Sequence, residues 1–275
     1  MPGKIILYFF FLLITINSFA QTDKADELYR NAMQLKTEGK CSDAVEVFKK
    51  AVELKPDFTA SLYELGWCYN ELQLYKEALV VLQKAMLLDP TGHKIIYESG
   101  FAKYKLGQIN AALEDYNKAL ALNPTFAKAY AVRADLYKDA QKNTAAALVE
   151  YLKALEFDSM TVKTYYWIGW CYNDLQQFGK AIPYLQKAIG FEKQNYLSYA
   201  EIGFAYFSLN QMDKAVEHLL IADRLKPNFE TTLYYIGMCY VRQNKKPDAV
   251  KKYNELVLQN SSYAGTLLNE IKKMK

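Results

Sequence analysis

The sequence contains few glycines, prolines and histidines, and this scarcity limits the folds and sites that it can form. It has 12 Gly, 7 Pro and 2 His in 275 residues. Because glycine and proline are the usual turn residues, a shortage of both favours a largely helical chain. With 51% hydrophobic residues, the composition also excludes a disordered chain and a collagen-like chain.

An excess of charge of either sign is also missing. The chain has 34 Lys and Arg against 30 Asp and Glu, which gives a net charge of +4. So small an excess, spread along the chain, does not form the basic patch by which proteins bind nucleic acids. We therefore expect no nucleic-acid partner.

The residue patterns of catalytic and metal sites are absent as well. His93 and His218 have no second His at helical spacing, and the sequence has no Cys-x-x-Cys pair. It also lacks a phosphate-binding P-loop, a Gly-rich dinucleotide turn and a GxSxG motif. We therefore predict a protein that is not an enzyme and that needs no metal ion or other cofactor.

The first 20 residues have the pattern of an export signal. Lys4 precedes an apolar run over residues 5–16, and Ser18 and Ala20 are small residues suited to cleavage after Ala20. The run is shorter than the ~20 residues of a membrane-spanning helix, although an uncleaved anchor is the alternative. We predict a signal peptide over residues 1–20 and an exported protein, periplasmic or otherwise secreted, with no transmembrane segment in the mature chain.

A period of 34 residues organises the rest of the sequence. Pro56, Pro90 and Pro124 are 34 residues apart. Glycines recur in the same frame at Gly66, Gly100, Gly169, Gly203 and Gly237. This period, with this spacing of Gly and Pro, is typical of tetratricopeptide repeats, and nearly all of the chain after the signal resembles that family.

The resemblance implies an all-α fold, a right-handed α-solenoid of seven helix-turn-helix units with a C-terminal capping helix. A short lead over residues 21–24 precedes the repeats, and the fourth repeat has one inserted residue near Asn143. Residues 264–275 form the predicted cap, because their apolar side chains fall on one stripe of a helix. The predicted repeats are 25–58, 59–92, 93–126, 127–161, 162–195, 196–229 and 230–263.

Small residues at fixed places in the repeat indicate close helix packing. Gly66 and Ala78 lie where we expect the backbones of two helices to approach each other. Cys68, Cys171 and Cys239 share one repeat position, so we interpret them as small buried packing residues. The segment GWCYN occurs in both the second and the fifth repeat, which indicates duplication of a block of three repeats.

The resemblance also implies a binding surface, because the first helix of each tetratricopeptide repeat lines a concave groove. Most groove positions in this chain have aromatic side chains, and positions four residues apart share one face of a helix. The alternative is that these rings are buried against one another. The aromatic and amide candidates are Tyr29, Tyr63, Trp67, Asn70, Tyr97, Phe101, Tyr104, Tyr166, Trp170, Asn173, Phe204, Phe207 and Tyr234.

The fourth repeat interrupts the aromatic pattern with charged residues. Lys128, Asp135 and Lys138 occupy groove positions there. They predict a polar centre that fixes the register of an extended ligand. The alternative is an ordinary helix surface with salt bridges, since Asp135 and Lys138 are three residues apart.

These patterns predict a non-catalytic protein–protein interaction module or scaffold. We expect it to bind an extended peptide or a partner helix in the aromatic groove. Binding of a carbohydrate or cell-wall glycan by the same groove is the alternative, since Trp and Tyr faces stack on sugar rings. A purely structural scaffold that uses the convex side is the third possibility.

Overall fold

The computed structural model describes residues 21–158 and 162–274, and its regular elements over these ranges are all α-helices. The predicted signal peptide and Lys275 of the predicted cap lie outside the described residues. The helices are α1 (residues 21–37), α2 (Cys41–Leu54), α3 (Thr59–Glu71), α4 (Tyr75–Leu88), α5 (His93–Lys105), α6 (Ile109–Leu122), α7 (Ala127–Asp139), α8 (Thr144–Phe157), α9 (Val162–Asp174), α10 (Phe178–Phe191), α11 (Tyr196–Ser208), α12 (Met212–Leu225), α13 (Glu230–Arg242), α14 (Lys246–Leu258) and α15 (Tyr263–Lys273).

The chain forms two compact units, the first ending at Val132 and the second beginning at Arg133. In the first unit, α3 packs against α4 and α5 packs against α6. In the second unit, α9 packs against α10, α11 against α12, and α13 against α14. Each unit is thus a succession of antiparallel helix pairs, and the predicted all-α class built of helix-turn-helix repeats is confirmed.

A residue in the left-handed backbone conformation marks the turn inside most helix pairs. In the first unit these residues are Gly39, Gln73 and Gly107, and φ of Gly107 is +76°. In the second unit they are Lys142, Gln176, Asn210 and Asn244. Such a residue ends the first helix and redirects the chain into the second. The step from Gly107 to Lys142 is one residue longer than the others, so the extra residue of the fourth repeat precedes Lys142.

The repeated glycines make room for a buried side chain of the paired helix. A Cβ atom added at Gly169 would lie 2.4 Å from Leu185 Cγ, and one added at Gly66 would lie 2.5 Å from Leu82 Cγ. Both leucines are fully buried. Gly66 thus lies where its helix packs closely against the paired helix, and the nearest atoms there belong to the Leu82 side chain. Ala78 is fully buried as well.

The cysteines at the shared repeat position lie in the interior. Cys68, Cys171 and Cys239 are fully buried, which confirms their interpretation as small packing residues. Burial raises the pKa of the Cys171 and Cys239 thiols to about 12, so both are protonated at neutral pH. They contribute apolar contacts rather than reactive thiolates.

Helix α15 packs against α13 and α14. Leu267 is fully buried, and its Cδ2 atom lies 2.5 Å from where a Cβ on Gly237 would be placed. Leu267 and Ile271 join Leu233 and Leu256 in one apolar cluster. At Gly169 the adjacent leucine, Leu185, belongs to the paired helix α10. At Gly237 the adjacent leucine is Leu267, which belongs to α15. No helix of the described chain is long and apolar enough to span a membrane.

The contact between Gly169 and Leu185 yields a testable prediction. We expect Gly169→Ala to lower the free energy of unfolding by ~1–3 kcal/mol, because the fully buried Leu185 side chain would have to shift to admit the added methyl group. Gly179→Ala is the matched control, since nothing lies within 4 Å of a Cβ added there. That change should be neutral or stabilise helix α10 by up to ~1 kcal/mol. Thermal melts followed by circular dichroism compare the two variants, and equal melting temperatures would contradict the packing role of Gly169.

Candidate functional site

The predicted groove residues of the first unit fall into three classes of exposure. Lys128 is exposed, and Asn70 is buried. The Tyr29 ring is partly buried against Phe48 and Phe58. This burial raises the pKa of the Tyr29 hydroxyl. The aromatic candidates that remain partly exposed are Tyr29, Tyr63, Trp67, Tyr97, Phe101 and Tyr104.

In the second unit, Asn173 and Phe207 are buried, and the other predicted residues are partly exposed. The ring of Phe207 contacts the Tyr235 ring and the Arg242 guanidinium, whose carbon lies 3.8 Å from the Phe207 ring centroid. Phe207 thus serves as a packing surface for Arg242. The partly exposed residues are Asp135, Lys138, Tyr166, Trp170, Phe204 and Tyr234.

The predicted charged residues of the second unit are engaged with neighbouring side chains. Asp135 accepts a hydrogen bond from the Tyr151 hydroxyl, and Lys163 Nζ lies 3.1 Å from its other carboxylate oxygen. The Lys138 ammonium pairs with Asp139 and lies 4.0 Å from the Trp167 ring centroid. The ion pairs of Asp135 and Lys138 are thus with Lys163 and Asp139.

Four predicted residues of the second unit come together around one cavity. Tyr166, Trp170, Asn173 and Phe204 line a space of about 540 Å³, which we call the Trp170 cavity. Its volume falls within the roughly 300–1,000 Å³ of small-ligand pockets. Phe207 and Tyr234 do not line it. The complete lining is Tyr166, Trp170, Asn173, Asp174, Gln176, Phe178, Leu197, Ala200, Glu201, Phe204, Leu219, Phe229, Thr231, Thr232 and Tyr235.

Helices α9, α11 and α13, each the first helix of its pair, provide most of this lining. Glu201, Thr232 and Tyr235 are lining residues that the repeat positions used for the sequence prediction did not include. A signal for Glu201 was present, since Glu98 occupies the same place relative to Asn70 as Glu201 does relative to Asn173. To find this signal, pairs of residues in consecutive repeats have to be compared, because the position of a residue within its own repeat does not show it.

An amide–carboxyl pair lies at the side of the Trp170 cavity. The Asn173 amide nitrogen donates to Glu201 Oε2 at 2.8 Å and to the Glu201 backbone carbonyl oxygen at 3.0 Å. Asn70 donates to Glu98 in the same way in the first unit, at 2.8 Å and 3.1 Å. The pair links the first helices of two consecutive repeats, so both Asn side chains are fixed in orientation.

Two buried acceptors of the cavity lining lack a protein partner. Asn173 is 3% exposed and Thr232 is 1% exposed. Within the described chain, neither Asn173 Oδ1 nor Thr232 Oγ1 has a hydrogen-bond partner. Because an unpaired buried polar atom costs about 1–3 kcal/mol, such atoms indicate a place where a ligand or water binds.

The Glu201 carboxyl is an unusually weak acid. Burial raises its pKa to about 7, the neighbouring Asp174 adds to the rise, and the hydrogen bond from Asn173 opposes it. Burial also raises the pKa of Glu98 to about 7. In both units, a carboxyl group at the Asn–Glu pair therefore changes its charge near neutral pH.

A second cavity adjoins the first and shares Tyr166, Trp170 and Asp174 with it. It has a volume of about 450 Å³, and its charged residues have both signs. Its lining consists of Lys138, Asp139, Lys142, Thr144, Tyr166, Trp167, Trp170 and Asp174. Nowhere in the described residues do three or more His, Cys, Asp or Glu side chains cluster as metal ligands would.

The raised pKa of Glu201 predicts a pH-dependent stability. The folded protein holds a proton on this carboxyl that the unfolded chain loses near pH 4.5, so stability should fall as the pH rises from about 5 through 7. We expect Glu201→Gln to remove this loss, on the order of 1–3 kcal/mol. Urea unfolding at pH 5 and pH 8 measures it. Glu217→Gln, at an exposed carboxyl, should follow the unmodified protein, and identical pH profiles for all three proteins would contradict the assignment.

Comparison with protein families identifies repeats along most of the chain. One model, described as a TPR repeat, matches residues 100–141. Three further models, each described as a tetratricopeptide repeat, match residues 35–94, residues 162–195 and 196–229, and residues 231–262. Together these ranges cover well over half of the chain. No curated protein matches the chain in sequence.

Solved structures share the fold. A tetratricopeptide repeat protein from Parabacteroides merdae is 19% identical, with 91% of this chain and 100% of that chain covered and a TM-score of 0.59. The C-terminal part of a repeat protein from Cytophaga hutchinsonii is 19% identical, with 87% and 99% covered and a TM-score of 0.68.

A third similar structure is YrrB, described as a TPR protein with an unusual peptide-binding site. It is 20% identical, with 70% of this chain and 97% of that chain covered and a TM-score of 0.63. At these identities the likeness concerns the fold alone. The 34-residue period, the succession of helix pairs and the matching family models together show that the chain belongs to the tetratricopeptide repeat family.

Proposed function

We propose that the protein is a non-catalytic interaction module that binds an extended peptide segment of a partner protein in the Trp170 cavity. Tetratricopeptide repeat proteins are in general scaffolds that bind protein or peptide partners. The observation that supports this site is the combination of partly exposed rings with unpartnered buried acceptors in one cavity. Rings supply apolar contact area, and the acceptors fix the orientation of the bound chain.

An extended peptide fits the arrangement of the two adjoining cavities. They share the Tyr166 and Trp170 side chains, so a chain that fills one continues past these rings into the other. The peptide backbone has N–H donors, and Asn173 Oδ1 and Thr232 Oγ1 are acceptors without a partner in the described chain. Peptide recognition commonly combines such backbone hydrogen bonds with pockets for side chains.

The orientations of the rings favour a peptide over a glycan. A sugar stacks on the face of a ring, so glycan sites present rings in a common plane. Here the Phe178 and Phe204 rings are nearly perpendicular, at 88°, and the Phe204 and Tyr235 rings are inclined by 53°. Such steeply inclined rings surround a side chain from several directions, as side-chain pockets do.

The proposal predicts that Trp170 dominates the binding energy. In a selection of random peptides on the purified protein, we expect enriched sequences whose affinity falls by roughly 30-fold in Trp170→Ala, the ~2 kcal/mol of a hot-spot aromatic. Trp67→Ala, at the corresponding place in the first unit, is the matched control and should leave the affinity unchanged. Melting curves of both variants separate lost binding from lost folding. An unchanged affinity in Trp170→Ala, or glycans that bind while no peptide does, would contradict the proposal.

We also propose that the protein acts outside the cytoplasm, with the periplasm as the favoured compartment. The support is the pattern of residues 1–20, which ends in the small residues Ser18 and Ala20. We expect N-terminal sequencing of the protein from a periplasmic extract to begin at Gln21. A protein that retains Met1 in a membrane pellet would instead indicate an uncleaved anchor.

A further inference from the structure

We propose that the Trp170 cavity binds a cationic side chain, lysine or arginine, of the partner peptide. This inference rests on the proposed function and specifies the residue that anchors the peptide. It follows from four observations, namely the charges of the lining, its acceptors, its aromatic residues and a comparison with the corresponding place in the first unit.

The lining of the cavity contains acidic residues and no basic residue. Of its fifteen residues, Asp174 and Glu201 are acidic and none is Lys or Arg. Within the described chain, Glu201 receives its hydrogen bonds from the Asn173 amide, and Asp174 receives one from the Thr144 hydroxyl. No described Lys, Arg or His forms an ion pair with either carboxylate. Above about pH 7, where Glu201 is ionised, a cation from outside would therefore find two carboxylates that form no ion pair with a basic residue of the described chain.

The polar atoms of the cavity are suited to a ligand that only donates hydrogen bonds. Asn173 Oδ1 is an acceptor, Thr232 Oγ1 accepts as well as donates, and the carboxylates of Glu201 and Asp174 accept when ionised. The side chains of Lys and Arg carry donors and no acceptor. An anionic or apolar side chain would leave the buried Asn173 oxygen without a donor.

The aromatic lining provides further attraction for a cation. Six of the lining residues are aromatic, and their ring faces have a negative electrostatic potential that attracts ammonium and guanidinium groups. The same interaction occurs within the protein on the same ring, because Lys138, a lining residue of the adjoining cavity, has its Nζ 5.8 Å from the Trp170 centroid. The aromatic residues of the lining are Tyr166, Trp170, Phe178, Phe204, Phe229 and Tyr235.

The first unit has the same residues but contributes its own cation. Trp67, Asn70 and Glu98 lie 103 residues before Trp170, Asn173 and Glu201. In the first unit Lys128 takes the place of Thr231. Burial raises the pKa of Glu98 to about 7; the hydrogen bond from Asn70 opposes this rise, and so do the positive charges of Lys128 and Lys36. No lysine acts on Glu201 in this way, so the second unit has the acidic group without the compensating charge.

The two units also differ in the space beside the carboxyl. Tyr97 of the first unit corresponds to Ala200 of the second. The Tyr97 ring packs against Tyr116 and Phe126, with centroid distances of 5.9 Å and 5.1 Å. Ala200 has no ring, and it lines the open space of the Trp170 cavity. The second unit thus has both the room and the unpaired charge for a cationic side chain.

The test uses blocked alanine pentapeptides with Arg, Lys, Gln, Leu or Glu as the central residue. They are titrated into the purified protein while NMR shifts of the Trp indole groups are followed. We expect the Arg or Lys peptide to bind at least tenfold more tightly than the Gln, Leu and Glu peptides. Equal affinities for all five peptides, or preference for the Leu or Glu peptide, would overturn the inference.

Three variants test the origin of the preference. Glu201→Gln removes the acidic group, and Thr231→Lys introduces the charge that the first unit has, so each should reduce the preference for Arg and Lys by at least tenfold. Glu98→Gln, the matched change in the first unit, should leave the preference intact. Retained preference in both Glu201→Gln and Thr231→Lys would overturn the assignment to this cavity. Circular dichroism verifies that each variant is folded.

The outcome separates this inference from the proposed function. Peptides that bind without preference for a cation, and whose binding is lost in Trp170→Ala, would overturn the inference and leave the peptide-binding function in place. Failure of these peptides and of every selected peptide to bind would overturn both.

Discussion

The packing of a buried side chain against a glycine sets the geometry of the helix pairs. At Gly169 only a hydrogen atom separates the backbone of α9 from the Leu185 side chain, so the two helices lie close together along this contact. Trp170 is the next residue, and successive residues of a helix point in directions about 100° apart. While Gly169 faces the paired helix, Trp170 is therefore directed away from it, toward the cavity. The placement of the rings thus depends on the position of the glycines.

Contacts between first helices of consecutive repeats add a second level of order. Lys36 pairs with Glu64, Asn70 binds Glu98, and Asn173 binds Glu201, in each case across 28 residues of sequence. A polar contact inside a stack of apolar helices has few alternative partners, so it opposes a shift of one repeat relative to the next. In the second unit this contact also fixes the Glu201 carboxyl in the lining of the Trp170 cavity. The hydrogen bond between Asn173 and Glu201 therefore both fixes one repeat relative to the next and orients a residue of the cavity lining.

The helix pairs could be predicted from the sequence alone. The 34-residue period and the recurring glycines reflect packing inside each repeat, so they are visible in the sequence of a single repeat. Of the aromatic residues that the sequence singled out, Tyr166, Trp170 and Phe204 line the cavity. The sequence did not predict that Asn173 is buried against Glu201, nor the roles of Ala200 and Thr232. These depend on the residues that neighbouring repeats present to one another, which a pattern defined for a single repeat does not contain.

The distribution of the cavity lining over three helices has a mechanical consequence. Trp170 belongs to α9, Glu201 to α11 and Tyr235 to α13, so an occupant of the cavity touches three consecutive repeats at once. In a repeat protein the elasticity arises from interfaces between nearest neighbours, each of which yields slightly to bending and twist. A peptide bound there, as proposed, would add a connection that extends beyond nearest neighbours. Occupation of the cavity would therefore make the second unit more resistant to bending and twisting.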